Sequence, residues 1–183
     1  MGPKKKLTYN EIDRILFVDE SMIRDYQAIQ KTWFPKGEQK VIPTFGKHSG
    51  CKLIGALDYE TGEITVTYES QYTAVEFLSF LKTIAEKYKG EKIVLVLDNA
   101  RIHHAKLLQP FLDEHQDVLK LVFLPPYSPK LNLIEGLWGW VKSSVINNVF
   151  FRTVDEIGKA VQEFISYLNQ RPWITVDRLC LRL

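Results

Sequence analysis

The feature that constrains this chain most is a run of five apolar residues, Ile93–Leu97, that ends directly in Asp98. A short, continuous apolar run is typical of a strand that is buried on both faces of a sheet. Such sheets carry helices on each side, so the run favours an α/β protein. It also delivers a carboxylate to the carboxyl end of a strand, where α/β sheets form their functional crevice.

Three further strands are predicted ahead of this run. The stretch "RILFVDE" at Arg14–Glu20 is short and apolar and ends in acids, which indicates a strand. Two β-rich stretches, "CKLIGALDY" and "EITVTYES", flank Thr61-Gly62, a dipeptide suited to a hairpin turn. Prolines and glycines interrupt residues 21–49, so we expect an irregular basic segment there with at most one short strand.

Helices are predicted between and after the later strands. Residues 73–90 begin with a capping box, continue with apolar residues at helical spacing and end at glycine. A second helix is expected from about His103 to His115, followed by the strand "LKLVFLP", the loop "PPYSPKLN" and the helix "LIEGLWGWVKSSVINN". A last helix runs from a capping box at Thr153 to about Asn169. This order predicts a mixed sheet with helices on both faces.

Composition limits the classes of protein that fit. A chain of 183 residues with 45% hydrophobic content can bury one core, which indicates a single domain over residues 14–183 after a basic tail over residues 1–13. No apolar run approaches the roughly 18 residues of a membrane span, and "MGPKKKLTYNEID" lacks the apolar stretch of a secretion signal. The two cysteines provide neither a disulfide framework nor a zinc site, which predicts a cytoplasmic protein.

The formal net charge of +2 is unevenly distributed along the chain. Residues 1–52 carry a surplus of four positive charges and residues 120–183 a surplus of three, whereas residues 53–119 carry a surplus of five negative charges. If the basic ends converge, they form a cationic surface for a polyanion around a carboxylate-rich centre. An ordinary solvated surface explains the pattern equally well, and the lysine run at residues 4–6 fits a solubilising tail.

Asp19 and Asp98 are the first candidates for a metal site. Each ends a predicted strand, so neighbouring strands would bring the two carboxylates together at one edge of the sheet. At about 4 Å and an effective dielectric constant near 20 they repel by about 4 kcal/mol, a cost that a shared proton or a cation removes. Period-2 alternation sends Asp19 and Glu20 to opposite faces of the strand. We choose Asp19, which shares a face with Phe17, as the inner ligand.

Glu135 is the third candidate. It lies in the first turn of a helix that follows the rigid "PPYSPKLN" loop, and the first turn of a helix favours an anion. Carboxylate oxygens with open coordination positions select Mg²⁺ or Mn²⁺ over zinc. Each acid also has an ordinary explanation, because Asp98 can cap a helix, Glu135 can be a surface acid and Asp19 can cap a loop.

Several segments closely resemble the catalytic core of mariner-like DDE transposases (Tc/mariner superfamily), most nearly the bacterial insertion-sequence branch. They are "FVDES", "VLDNARIHHA" and "LVFLPPYSPKLNLIEGLWGWVK", together with "TWFPKGEQKVIP", "GALDYETGEI" and "FFRTVDEI" outside the site. The resemblance runs from about Ile15 to Phe164. It implies a ribonuclease-H-like fold with a mixed five-stranded sheet, in which three leading strands are antiparallel and two later strands run parallel to the first. It also implies a catalytic triad of Asp19, Asp98 and Glu135.

The resemblance further implies an activity and partners. The expected reaction is cleavage of phosphodiester bonds at transposon ends and strand transfer into target DNA, without a covalent enzyme intermediate. Two Mg²⁺ ions about 4 Å apart, or Mn²⁺ in their place, would be held by the three acids. Double-stranded DNA, a homodimer assembled on that DNA and a nucleoid-associated location in a bacterial cytoplasm are expected, with no membrane partner.

Two departures from the family pattern stand out. Leu133 occupies a position that is usually proline in the family, and the change loosens the start of the helix only slightly because proline there merely pre-sets backbone angles. Nothing ahead of Asp19 is long enough for the helix-turn-helix region that family members normally carry. The chain is therefore expected to be the catalytic half alone, as a truncated form, one product of a split reading frame or a decayed copy.

Weaker candidates surround the acids. Asn99 is predicted to orient Asp98, and Arg101 to meet a phosphate. His103 is assigned a supporting role beside the acids rather than a zinc site, because adjacent histidines on a helix point about 100° apart. Sequence-independent contacts with DNA phosphates are predicted for four lysines of the basic segment: Lys36, Lys40, Lys47 and Lys52. Trp138 is predicted to be core rather than a stacking partner for a DNA base, and Trp33 and Trp173 are predicted to be packing anchors.

Other classes of protein remain open. A ribonuclease-H-like nuclease or junction resolvase keeps the fold and the metals, although "PPYSPKLN" argues against it. A phosphoacceptor receiver domain also places acids at strand ends, but it is usually shorter and has a signature lysine. An inactive, DNA-binding remnant of a transposase is the last alternative.

Overall fold

The computed structural model describes residues 12–24, 33, 35–38, 41, 50–125 and 131–179. The strands within this part of the chain are β1 (Arg14–Arg24), β2 (Gly50–Asp58), β3 (Ile64–Glu69), β4 (Ile93–Leu97) and β5 (Leu119–Phe123). The α-helices are α1 (Ala74–Lys87), α2 (Gln109–Glu114), α3 (Ile134–Val141), α4 (Val154–Asn169) and α5 (Pro172–Leu179). None of the helices in these residues is long and apolar enough to cross a membrane.

The five strands form one mixed sheet in the order β3-β2-β1-β4-β5. β2 lies antiparallel to both β1 and β3, whereas β4 runs parallel to β1 and β5 runs parallel to β4. This arrangement confirms the predicted fold class. β1 continues past the predicted end at Glu20 because its pairing with β2 extends as far as Arg24 opposite Gly50.

Each face of the sheet carries its own core, as the predicted helices on both faces require. On one face, Leu16 and Val18 of β1 belong to a cluster with Phe77 of α1. On the other face, Phe17 packs against a cluster that contains Ile134 of α3. Alternate residues of β1 therefore enter opposite cores, which is the consequence of the period-2 geometry of a strand.

Turn and cap residues place the elements as predicted. Gly62 has a φ of +75°, a backbone conformation that favours glycine, and it closes the hairpin between β2 and β3. Thr73 and Glu76 make the reciprocal hydrogen bonds of a capping box at the start of α1. The hydroxyl of Thr153 accepts from the backbone N–H of Glu156 at 3.2 Å and starts α4.

The predicted helix from His103 to His115 is wrong in part. The chain forms two short 3₁₀ turns, Arg101–His104 and Lys106–Leu108, before the short helix α2. Ala105 interrupts a continuous helix because its backbone is extended, with φ −65° and ψ 136°. Pro110 begins a new helix, since proline fits the first turn, where its missing N–H costs no hydrogen bond.

The three tryptophans that the sequence singles out differ in their environments. Trp138 is buried, with 3% of its surface exposed, which confirms the predicted core position. Trp33 is fully exposed and Trp173 is 59% exposed, so the prediction that they are packing anchors is wrong. Trp173 lies on α5, a helix that the periodicity analysis missed although Pro172 marks its start.

Candidate active site

The parallel pairing of β1 with β4 sets two acids side by side. Phe17 pairs with Val96, and every pair in this register is separated by 79 positions. The pairing ends there, and β4 ends at Leu97, but the same register carried two residues further would set the backbone of Asp98 beside that of Asp19. Because neighbouring strands are about 4.8 Å apart, the sheet brings these two backbone positions close together although they are distant in the sequence.

Glu135 approaches the same edge of the sheet from α3. Its backbone N–H donates to the carbonyl of Asn132 at 3.1 Å in the first turn of the helix, and its side chain is exposed. The charges of Asp98 and Glu135 both act on the carboxyl group of Asp19. Asp98 and Glu135 therefore lie within electrostatic range of Asp19, although the three acids come from three separate parts of the chain. Among the described residues, their ligand atoms do not form a group within 4.8 Å of one another, as those of Glu20, Asp98 and His103 do.

The environment of Asp19 is unfavourable for its own charge. Burial is the main cause, and together with the charges of Glu20, Asp98 and Glu135 it raises the pKa of Asp19 to about 7. A hydrogen bond from a backbone N–H acts in the opposite direction but is weaker. A divalent cation would stabilise the ionised form, and an all-carboxylate set of oxygen donors suits Mg²⁺ or Mn²⁺. The residues that are present therefore fit a hard divalent ion.

Trp138 holds α3 close to the sheet at this point. Its indole lies over Gly55, which is the residue of β2 that pairs with Asp19. A Cβ atom built at Gly55 would come within 2.6 Å of the ring, so only glycine leaves room for the indole. Because Glu135 lies one turn before Trp138 on the same helix, the contact between glycine and indole sets how closely Glu135 approaches the sheet.

The buried His103 and the partly buried Glu20 form a pair beside Asp98. Nε2 of His103 lies 2.9 Å from Oε1 of Glu20, and Nδ1 lies 3.2 Å from both the backbone carbonyl oxygen and Oδ1 of Asp98. Burial by itself lowers the pKa of His103, but the hydrogen bond and charge of Glu20 and the contacts with Asp98 raise it overall. His103 thus connects Glu20 to Asp98, and its ring packs on Phe77 with 4.4 Å between centroids.

The same pair offers a second possible set of metal ligands. Ligand atoms of Glu20, Asp98 and His103 all lie within 4.8 Å of one another, a separation that a metal ion can bridge. Both ring nitrogens of His103 already have hydrogen-bond partners, so a metal would have to displace one of them. These contacts favour a role for His103 in holding Asp98 in place over a role as a metal ligand.

Asn99 turns towards a different neighbour from the one predicted. Its Oδ1 lies 2.6 Å from Nε2 of His104, whose ring stacks on Phe123 with 4.3 Å between centroids. The backbone N–H of Ala100 donates to Oδ1 of Asp98 at 3.0 Å. Ala100 and His103 therefore orient the Asp98 carboxylate, the function that the sequence assigned to Asn99.

The predicted phosphate contacts fall into three groups. Arg101 is exposed and lies three residues beyond Asp98, and Lys36 is also exposed. Lys52 is already engaged, because its Nζ donates to the carbonyl of Ser70 at 2.8 Å and lies 5.9 Å from the centre of the Tyr72 ring. Lys40 and Lys47 lie outside the described residues. DNA contact stays a prediction for all five basic residues.

Two residues with evident structural roles were not singled out by the sequence. Glu20 was set aside because it faces away from Asp19, and its partner His103 is far along the chain. Asn132 is buried between α3 and β1, where its side chain donates to the carbonyl of Val18 at 3.0 Å. Its place in the "PKLN" segment, three residues before Glu135, was the only available signal.

The sequence identifies the class of this protein as a DDE-type endonuclease domain. The sequence matches the DDE superfamily endonuclease family over residues 14–158, and the chain belongs to that family. This match confirms the resemblance that the motifs indicated. The span includes Asp19, Asp98 and Glu135.

Two curated bacterial proteins are similar in sequence. The insertion element IS630 uncharacterized 39 kDa protein of Shigella sonnei is 28% identical over 159 residues, which cover 86% of this chain and 46% of that protein. The uncharacterized protein y4pE/y4sA of Sinorhizobium fredii (strain NBRC 101917 / NGR234) is 34% identical over 85 residues, which cover 46% of this chain and 58% of that protein. The chain spans about half the length of these relatives.

Solved structures of the Mos1 transposase share the fold. The Mos1 paired-end complex with the left transposon end has a TM-score of 0.67 at 16% identity, covering 96% of this chain and 54% of that chain. The catalytic domain of the Mos1 mariner transposase has a TM-score of 0.59 at 15% identity, and the match covers 96% of this chain and 80% of that chain. At these identities the similarity shows the fold alone, and it confirms the expected ribonuclease-H-like architecture.

Proposed function

We propose that this protein is the catalytic domain of a DNA transposase, which cuts phosphodiester bonds at transposon ends and transfers the cut strand into target DNA. The proposal is supported by the register of β1 with β4, which runs towards Asp19 and Asp98, and by the charges of Asp98 and Glu135, which both act on the partly buried carboxyl group of Asp19. Membership of the DDE endonuclease family and the Mos1 fold support it. The proposal covers residues 14–183 as one catalytic domain behind a basic tail.

The three carboxylates are proposed to hold Mg²⁺, or Mn²⁺ in its place, with two ions in the complete site. Divalent ions in such sites polarise the phosphate and lower the pKa of the attacking water or 3′-hydroxyl. Support for this choice comes from the all-oxygen donor set and from the raised pKa of Asp19. Mos1 complexes with Mn and with Mg have been solved.

The protein's own contribution is to fix the three acids in place. Asp19 lies on β1 and Asp98 directly follows β4, so the pairing of these two strands holds them more rigidly than a long loop would. Ala100 and His103 hydrogen-bond the carboxylate of Asp98 and restrict its rotation. Glu135 is carried by a helix that the buried Trp138 anchors to the sheet.

Double-stranded DNA is the proposed substrate, as both transposon end and target. Arg101 is placed to meet a phosphate near the acids, because it is exposed and close to Asp98 in the chain. Lys36, Lys40, Lys47 and Lys52 are proposed as contacts that do not depend on DNA sequence. A homodimer assembled on DNA, in a bacterial cytoplasm, completes the proposal.

A strand-transfer assay tests this function against the nuclease or resolvase alternative. A labelled duplex with a free 3′-hydroxyl is incubated with supercoiled plasmid and Mg²⁺ or Mn²⁺, so that the assay does not depend on recognition of a particular DNA end. If the protein transfers strands, the label becomes covalently joined to the plasmid. If it is only a nuclease, the plasmid is nicked or linearised and carries no label. Asp98→Ala serves as the inactive control.

A further inference from the structure

Asn132 joins the two elements that carry Asp19 and Glu135. Its side-chain Nδ2 donates to the backbone carbonyl of Val18, the residue immediately before Asp19, at 3.0 Å. Its own backbone carbonyl accepts from the N–H of Glu135 at 3.1 Å. Two hydrogen bonds through a single residue therefore connect the backbone position of one acid to that of another.

The backbone carbonyl of Val18 on β1 needs a hydrogen-bond donor. The pairing of β1 with β4 ends at Phe17 opposite Val96, just before the position from which Asp19 projects. The amide of Asn132 donates to the next carbonyl along β1, that of Val18. β1 is still paired with β2 here, and Asn132 adds a hydrogen bond to its backbone where the pairing with β4 has ended.

The environment of Asn132 is not one that packing alone explains. Only 4% of its surface is exposed, and within the described part of the chain its Oδ1 has no hydrogen-bond partner. A buried amide oxygen without a partner destabilises a fold. An apolar side chain of similar size, such as leucine, would avoid that cost if filling space were the only requirement.

We propose that Asn132 is a positioning residue that sets the separation between Asp19 and Glu135, and through it the affinity of the acid site for a divalent metal ion. The inference rests on the proposed function and adds a residue to it. Asn132 acts through the carbonyl of Val18 and the amide of Glu135. Groups that orient metal ligands in this way change metal affinity by about 10-fold to 100-fold when they are removed.

Asn169 provides a matched control elsewhere in the fold. Its side chain accepts from the N–H of Ile64 at 2.8 Å and donates to the carbonyl of the same residue at 2.7 Å. It therefore links a helix, α4, to a strand, β3, by the same chemistry. Because β3 is the edge strand on the far side of β2 from β1, loss of this link should lower stability without changing the acid site.

The test compares Asn132→Leu with Asn169→Leu for thermal unfolding and for Mn²⁺ binding by calorimetry. We expect Asn132→Leu to raise the dissociation constant for Mn²⁺ at least about tenfold, whatever its effect on Tm. Asn169→Leu should lower Tm and leave the dissociation constant unchanged. If Asn132→Leu does not fold, Asn132→Ala, which adds no bulk, is measured in its place.

Wild-type protein, Asp98→Asn and Glu135→Gln are included to separate this inference from the proposed function. If the wild type binds Mn²⁺ and neither Asp98→Asn nor Glu135→Gln does, the acid site stands rather than the set of Glu20, Asp98 and His103, and the Asn132 variant decides the inference. An equal dissociation constant for the Asn132 and Asn169 variants would then overturn it. If Asp98→Asn or Glu135→Gln binds Mn²⁺ as tightly as the wild type does, the proposed site is wrong and the role of Asn132 is wrong with it.

Discussion

Asp19 on β1 and Asp98, which directly follows β4, occupy corresponding positions, because the register of the two parallel strands separates every pair by 79 positions. The pairing ends two residues earlier, at Phe17 opposite Val96. Hydrogen bonds between the strands therefore fix the backbone segments from which the two carboxylates project before any ligand binds. A site built in this way keeps its geometry at the cost of repulsion between like charges.

Replacing Asp98 tests the chemistry of the site. We expect Asp98→Ala to abolish DNA cleavage and to leave the fold intact, because Asp98 is exposed and its loss removes a repulsion from Asp19. Cleavage of plasmid DNA and circular dichroism measure the two effects. Asp117→Ala is the control, since Asp117 is an exposed acid ahead of β5, at the opposite edge of the sheet. Metal-dependent cleavage by Asp98→Ala would remove Asp98 from the mechanism.

The raised pKa of Asp19 predicts how stability depends on pH when no metal is bound. The pKa rises from an ordinary 3.8 to about 7 on folding. Below about pH 4 both the folded and the unfolded states are protonated at this group, and between about pH 4 and pH 7 only the folded state keeps its proton. The free energy of unfolding should therefore fall as pH rises through this window, by at most about 4 kcal/mol from this group.

Asp19→Asn isolates that contribution from other titrating groups. Urea unfolding of the metal-free protein at pH 5 and pH 8 should show a smaller loss of stability for the variant than for wild type. The variant should also lose the stabilisation that Mn²⁺ gives, which reaches about 2.7 kcal/mol at a concentration 100 times Kd. Parallel pH profiles for the two proteins would mean that Asp19 is not the buried, proton-holding group.

The contact between Gly55 and Trp138 predicts a long-range effect on the acids. Gly55→Ala places a Cβ within 2.6 Å of the indole, so α3 must shift, which should cost about 1–3 kcal/mol of stability and weaken Mn²⁺ binding through Glu135. Gly139→Ala is the control, because nothing lies within 4 Å of its Cβ position and alanine stabilises a helix by about 0.5–1 kcal/mol over glycine. Unchanged Mn²⁺ affinity in Gly55→Ala would show that α3 does not set the site.

The basic segment predicts a dependence of DNA affinity on salt. Replacing Lys36 and Lys40 together by alanine should weaken binding to all DNA sequences and reduce the slope of log K against log[salt] by about 1.8, since each phosphate contact contributes about 0.9. Two exposed lysines, Lys82 on α1 and Lys89 just after it, form the control pair. An unchanged slope, measured by fluorescence anisotropy over a salt titration, would exclude the two lysines from the DNA contact.

Much of the fold could be predicted because its signals are local. The apolar run before Asp98 indicated a buried strand, and the capping box at Thr73 marked the start of α1. Strand alternation also predicted that Asp19 and Glu20 face opposite ways, and Glu20 hydrogen-bonds His103.

What the sequence did not reveal depends on tertiary contacts. Glu20 and His103 are 83 positions apart, and Asn132 and Val18 are 114 positions apart. No local sequence pattern therefore predicts either hydrogen bond. The extended backbone of Ala105 breaks a stretch whose composition favours a helix. Trp173 was assigned to packing from its hydrophobicity, but whether a side chain is covered depends on which element lies above it.

The most direct test of the central claim is a crystal structure with Mn²⁺ bound, in which anomalous diffraction locates the ions. We predict anomalous peaks between the carboxylates of Asp19, Asp98 and Glu135. Peaks at Glu20 and His103 alone, or a Glu135 side chain turned away from the ions, would contradict the proposed site.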